Sequence, residues 1–273
     1  MPAPSSAGSD VTPVKLGQNF LADTNLLDAI VRDAKLRPDD VVLEVGAGEG
    51  PLTERLAAAA GHVYTIELDR KLEPALERIA ALPNVELHWG DALKLDLATF
   101  EPTPTAVVSN LPYSIATPLL IRTIYELPEV QRWTVMIQRE IADRLSAQPG
   151  SRTYGAPSVL VQLACETKVL RAVNPAVFRP RPQVESAVIG LYRIGPGADE
   201  NTRDLVRAAF AHRRKTLARS LEHAKPGSWG DARPGSLLEA ARAALRRLGL
   251  PEDARAEQLS PDDFRALTKG LSG

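Results

Sequence analysis

Cysteine is almost missing: the 273 residues hold one, Cys165. No internal disulfide can form, and a reducing, cytoplasmic setting is expected. The thiol ends the apolar run Val159 to Cys165 and reads as a small core residue rather than a nucleophile. Long apolar runs are missing too. No stretch approaches the roughly 18 uninterrupted apolar residues of a membrane span. Aromatics make up only 5% of the chain, so a ring beside a motif is informative. Net charge is nearly absent, at −1, which argues against a generic nucleic-acid binder. That balance hides an asymmetry, since residues 1–164 hold 21 Asp and Glu against 14 Lys and Arg, and residues 196–273 hold 14 Lys and Arg against 11 Asp and Glu.

What is present has order. Met1 to Thr12 are rich in Pro, Ser, Ala and Gly without an apolar run, so residues 1–13 are expected to be a disordered tail, not a secretory signal. Val41 to Val45 is a short β-branched run followed by Gly46, then a helical stretch from Pro51 to Ala60. Strands are expected at Val63 to Leu68, Val85 to Trp89 and Thr105 to Ser109, with helices at Arg70 to Ala81 and Ile115 to Leu127 between and after them. Such βαβα alternation predicts an α/β fold with a mainly parallel sheet covered on both faces. Trp133 to Ile137, Lys168 to Val173 and Ala187 to Ile194 read as later strands, and Arg139 to Ala147 and Ala156 to Ala164 as helices. Gly195-Pro196-Gly197 marks the expected boundary between a domain of residues 14–195 and a small all-helical domain of residues 196–273. In that second domain Thr202 to His212, Leu237 to Leu248 and Pro261 to Thr268 have helical spacing.

Chemistry concentrates at the carboxyl ends of the expected strands, where open α/β sheets bind ligands. Gly46-Ala47-Gly48-Glu49-Gly50 lets backbone approach a ligand closely, and Glu67, 21 residues past Gly46, offers a carboxylate to a ribose diol. A dinucleotide and S-adenosylmethionine fit these two features equally. The Gly-x-Gly-x-Gly spacing favours the second, as does Asp91, placed to accept from an adenine amino group. The fourth strand leads into Asn110-Leu111-Pro112-Tyr113. Its Asn110 side-chain oxygen and Leu111 carbonyl can accept two N–H bonds of a planar amine, Pro112 fixes the backbone, and Tyr113 offers a ring face to a base. Four residues alone also fit a proline turn beside a buried tyrosine.

Taken in order over roughly Leu16 to Leu267, the motifs resemble the ribosomal RNA adenine N6-dimethyltransferases. Leu16-Gly17-Gln18-Asn19-Phe20-Leu21 resembles the family's opening motif, which implies that Asn19 and Leu21 join Gly46, Gly48, Glu67, Asp91 and Asn110 around S-adenosylmethionine. Gln138-Arg139-Glu140 and Tyr154-Gly155 continue the likeness, and Phe178 to Ser186 resembles the late motif. The resemblance implies a Rossmann-like methyltransferase sheet and catalysis by Asn110, Leu111, Pro112, Tyr113 and Phe178, with the target base held between Tyr113 and Phe178. It also implies a monomer acting without metal. In the tail, Phe210 to Leu217 and Arg255 to Ser260 resemble the small-subunit branch more than its antibiotic-resistance relatives. The implied substrate is 16S ribosomal RNA within the small subunit, at two adjacent adenosines of a hairpin loop near the 3′ end, with Arg213, Arg214 and Lys215 on RNA phosphates. A large-subunit methyltransferase of the macrolide-resistance type shares the catalytic motifs, and a non-catalytic RNA- or DNA-binding factor shares the fold.

Overall fold

The computed structural model describes residues 19–223 and 236–272. The expected tail and Leu16-Gly17-Gln18 lie outside the described residues. A central run of β-branched and apolar residues forms β2 (Val41–Val45), and each of its five side chains is buried, Glu44 included. It follows β1 (Phe20–Leu21) and α1 (Thr24–Ala34), and leads through α2 (Pro51–Ala59) to β3 (His62–Glu67), α3 (Glu73–Ala80) and β4 (Val85–Trp89). The chain then returns to the other side of β2 as β5 (Ala106–Asn110), α4 (Ala116–Glu126), β6 (Arg132–Gln138) and α5 (Arg139–Leu145). After α6 (Ala156–Gln162) come β7 (Cys165–Val173), β8 (Phe178–Arg179) and β9 (Ser186–Arg193).

Seven of these strands make one sheet, ordered β4-β3-β2-β5-β6-β9-β7, parallel from β4 to β6 and antiparallel where β9 meets β6 and β7. The strand order reverses between β2 and β5, which opens a crevice at their carboxyl ends. Ladder pairing between these two strands covers Val42↔Ala106 and Leu43↔Val107. Beyond it the Ser109 hydroxyl takes over, accepting from the Val45 N–H at 3.1 Å and donating to its carbonyl at 2.5 Å. One serine thus keeps the two strand ends together where they diverge.

Helix α1 escapes the sequence reading although its signals are local. Asp23 accepts from the Leu26 N–H at 3.0 Å as an N-cap, and Leu27, Ile30 and Ala34 repeat at helical spacing on the buried face. The short strands β1 and β8 are also new, pairing Phe20 with Arg179 and Leu21 with Phe178. Cys165 is buried, and desolvation pushes its thiol up to about 12, which leaves it inert as expected.

The rear of the chain is helical: α7 (Glu200–Phe210), α8 (Leu217–Glu222), α9 (Ser236–Arg247) and α10 (Pro261–Ser272). Its apolar cluster contains Leu205, Leu217, Leu245 and Phe264, and also Tyr154, Val159, Leu160 and Leu163 from before Gly195. The chain crosses a glycine-rich link there, but the packing does not stop. Among the described residues no helix is long and apolar enough to cross a membrane.

Candidate active site

A cleft of about 820 Å³, open mouth included, lies at the reversal point between β2 and β5, where open α/β sheets bind ligands. Its walls bring together Asn19, Leu21, Gly46, Gly48, Glu67, Asn110, Leu111, Pro112 and Tyr113, residues that come from four separate stretches of sequence. Gly46 turns at φ +83°, and a Cβ there would sit 3.2 Å from Pro112 Cδ. Gly48, at φ +58°, faces the Phe20 ring at 3.2 Å by the same measure. The glycine loop is therefore pressed between the Asn110–Tyr113 loop and β1, and a side chain at either glycine would enter a neighbour or the cleft.

Glu67 ends β3 with its carboxylate turned back over this loop. Oε2 accepts from the Gly48 N–H at 2.9 Å, and Oε1 accepts from Leu68 and Asp69 at 2.8 and 2.9 Å. Three of its roughly four lone-pair sites are filled by backbone, so Glu67 shapes the loop as well as facing the cleft. On the opposite wall, the Leu111 N–H donates to Met136 at 3.1 Å, which turns the peptide after β5. No hydrogen bond engages the Asn110 carboxamide among the described residues. Tyr113 is held from the side, its hydroxyl 2.7 Å from Ser186 Oγ on β9, a serine with no solvent exposure.

Two residues expected around the cofactor and the base are not among those that line the cleft. Asp91 is outside the cleft wall, where its Oδ1 accepts from the Leu93 N–H at 2.9 Å and caps a turn, and Oδ2 lies 3.4 Å from the exposed Lys94 ammonium. Phe178 is 3% exposed and packs with Leu21, Leu27, Met136 and Val188. It lies on β8, paired with Leu21 of β1, and is not among the residues that line the cleft. Arg213 donates to the Arg152 and Tyr154 carbonyls at 3.2 and 2.9 Å and thereby ties the tail to the loop after α5. Arg214 and Lys215 are exposed and, with Arg219 and Arg242, line a second groove.

Sequence reasoning quoted Glu44 within a motif and gave it no role, although an acid inside an otherwise apolar strand is a signal. Glu44 is 1% exposed and lines the cleft. Desolvation raises its pKa from 4.5 to about 7, against hydrogen bonds from Thr53 and Thr65 that lower it, while Glu67 adds a smaller upward push. The native state keeps this proton at pH values where the unfolded chain has lost it. Stability from this group is therefore complete below pH 4.5, and falls by about 1.4 kcal/mol per pH unit up to about pH 7, roughly 3 kcal/mol in all. Glu44→Gln is expected to remove that slope in urea titrations from pH 4.5 to 8. A wild-type protein with no slope in the window would refute the assignment.

Comparison with known proteins bears on this geometry. A family model described as ribosomal RNA adenine dimethylase matches residues 12–236. The ribosomal RNA small subunit methyltransferase A of Rubrobacter xylanophilus is 43% identical over 274 residues, covering 99% of this chain and 99% of its own. Among solved structures, a dimethyladenosine transferase from Plasmodium falciparum is similar with a TM-score of 0.74 and 26% identity, over 91% of this chain and 95% of the other. The 23S rRNA methyltransferase ErmE is similar with a TM-score of 0.67 and 27% identity, over 93% and 100%. With the family model spanning most of its length and a full-length relative at that identity, the chain belongs to the ribosomal RNA adenine dimethylase family.

Proposed function

We propose that this protein uses S-adenosylmethionine to dimethylate N6 of two adjacent adenosines in a hairpin loop near the 3′ end of 16S ribosomal RNA, acting on the small subunit or its precursor. The observation that carries the reading is one cleft whose two walls are the glycine loop with Glu67 and the Asn110–Tyr113 loop, so that cofactor and acceptor amine would meet across it. The full-length likeness to a small-subunit methyltransferase supports that substrate. Structural likeness to a 23S rRNA methyltransferase keeps a large-subunit adenosine as the second reading.

The walls suit the cofactor. Glu44, Glu49 and Glu67 line the cleft with no lysine or arginine among the lining residues, and the close approach at Gly46 and Gly48 leaves backbone facing the space. Asn19, Leu21, Gly46, Gly48, Glu67 and Asn110 would hold it, with Asp91 at the neighbouring strand end. When bound, S-adenosylmethionine supplies an activated methyl group. The chain's own part is alignment. Asn110 Oδ1 and the Leu111 carbonyl accept the two N–H bonds of the adenine amine, and these bonds strengthen as the nitrogen gains positive charge. The Tyr113 ring carries the base, and Ser186 fixes the tilt of that ring. A loop adenosine leaves its stack at lower cost than a paired one.

Purified protein with labelled cofactor is expected to methylate undermethylated small subunits, with the label in two neighbouring N6,N6-dimethyladenosines. Label in large-subunit RNA at a single adenosine would establish the second reading instead. Arg214 and Lys215 are assigned to RNA phosphates, with Arg213 restricted to holding the tail. Neutralising Arg214 and Lys215 together should reduce the salt slope of RNA binding by about 1.5 to 2 units. Arg213→Ala should lower stability and barely move the slope. Equal slopes in wild type and the double variant would exclude the groove as an RNA contact.

A further inference from the structure

We infer that Glu44 makes the cleft select by charge, favouring the sulfonium cofactor over its neutral thioether product. This rests on the S-adenosylmethionine reading above. Glu44 sits in the wall of the cleft with both the Thr53 and Thr65 hydroxyls donated to Oε2, at 2.6 and 2.8 Å. Among the described residues no donor is bonded to Oε1, which is left for the cleft. A buried carboxylate without a cation is costly. Here the surroundings provide none. Glu67 on β3 acts on Glu44 as a like charge, and Glu49 lines the cleft as a third acid. From α2 the facing group is the Thr53 hydroxyl, and β5 brings the neutral Ser109 and Asn110. Tyr113 is the remaining titratable lining residue. The basic side chains of the flanking helices, Arg55 and Arg78, are paired with Asp28 and Glu54 and do not line the cleft.

A sulfonium ligand and its thioether counterpart share their adenosine and amino-acid parts and differ by one positive charge. Interactions common to both cancel in the ratio of their affinities. What survives is the interaction of that charge with the walls. While Glu44 holds its proton only the Glu49 and Glu67 carboxylates favour the cation, and once Glu44 ionises the preference grows. Binding of the sulfonium ligand should therefore expel the Glu44 proton to solvent, whereas the thioether should leave it in place. The product would then leave more readily than the substrate as pH rises through neutrality.

Calorimetric titration of S-adenosylmethionine and S-adenosylhomocysteine from pH 6 to 8.5, in buffers of different ionisation enthalpy, tests this directly. The affinity ratio in favour of the sulfonium should rise on the order of tenfold across the range, with proton release seen only for that ligand. Glu44→Gln should flatten the ratio. Thr65→Val, which removes one hydrogen bond to the ionised form, should move the midpoint to higher pH. A flat ratio in the wild type, or an undiminished rise in Glu44→Gln, would overturn the inference while leaving the cofactor reading intact. Failure of both ligands to bind would overturn both.

Discussion

Asn110→Ala is expected to lower kcat by about two to three orders of magnitude, the usual cost of deleting one group aimed at charge that develops in a transition state. Because no hydrogen bond engages the Asn110 carboxamide among the described residues, its removal leaves the neighbouring backbone supported by Leu111 and Met136. Cofactor and RNA affinities should stay within about fivefold, a difference of roughly 1 kcal/mol. Single-turnover methyl transfer beside equilibrium titrations makes the distinction. An elevated KM with normal kcat would mean that Asn110 binds ground state and transition state alike, and would remove it from the alignment role.

The other large effect concerns Phe178. Phe178→Ala is expected to lower stability by about 3 to 5 kcal/mol, since the ring is buried in an apolar cluster with Leu21, Met136 and Val188. Phe178→Leu keeps most of that burial and should cost under about 1.5 kcal/mol. The pair of variants separates two roles that the alanine alone confounds. If the ring also reaches a flipped base, the leucine variant should be folded yet bind substrate RNA about tenfold or more weakly, as loss of base–aromatic stacking implies. A leucine variant with full activity would leave Phe178 as packing alone. Chemical unfolding and initial rates on the same preparations decide between them.

Legibility in the sequence followed the range of the interactions involved. Val85 to Trp89 was readable to the residue because a β-branched start and a glycine end are local signals. The glycine loop, Glu67 and the Asn110–Tyr113 loop are readable for a related reason, since each sits at the carboxyl end of a strand. Register was not. The insertion of β9 between β6 and β7 depends on antiparallel pairing of segments that do not adjoin in sequence. Burial of Phe178 follows from its pairing with Leu21, and the bond from Tyr113 to Ser186 spans 73 residues. Arg213 looked like its neighbours Arg214 and Lys215, and only the carbonyls of Arg152 and Tyr154 set it apart. Helix α1 is signalled by Asp23 and the Leu27–Ile30–Ala34 spacing, a pattern diluted by the polar residues that share the segment.

The apolar packing that runs across Gly195 has a mechanical meaning. Tyr154 illustrates it, with its ring in the tail's core and its hydroxyl bonded to the Leu259 carbonyl at 3.0 Å. A hinge at the glycine link would have to open that core, which couples the groove of Arg214 and Lys215 to the body that holds the cleft between β2 and β5. If RNA phosphates rest in the groove, the molecule works as a caliper with locked jaws. An adenosine is then accepted for lying at the correct distance from a phosphate ridge, and RNA of matching sequence but different folded length fails to reach.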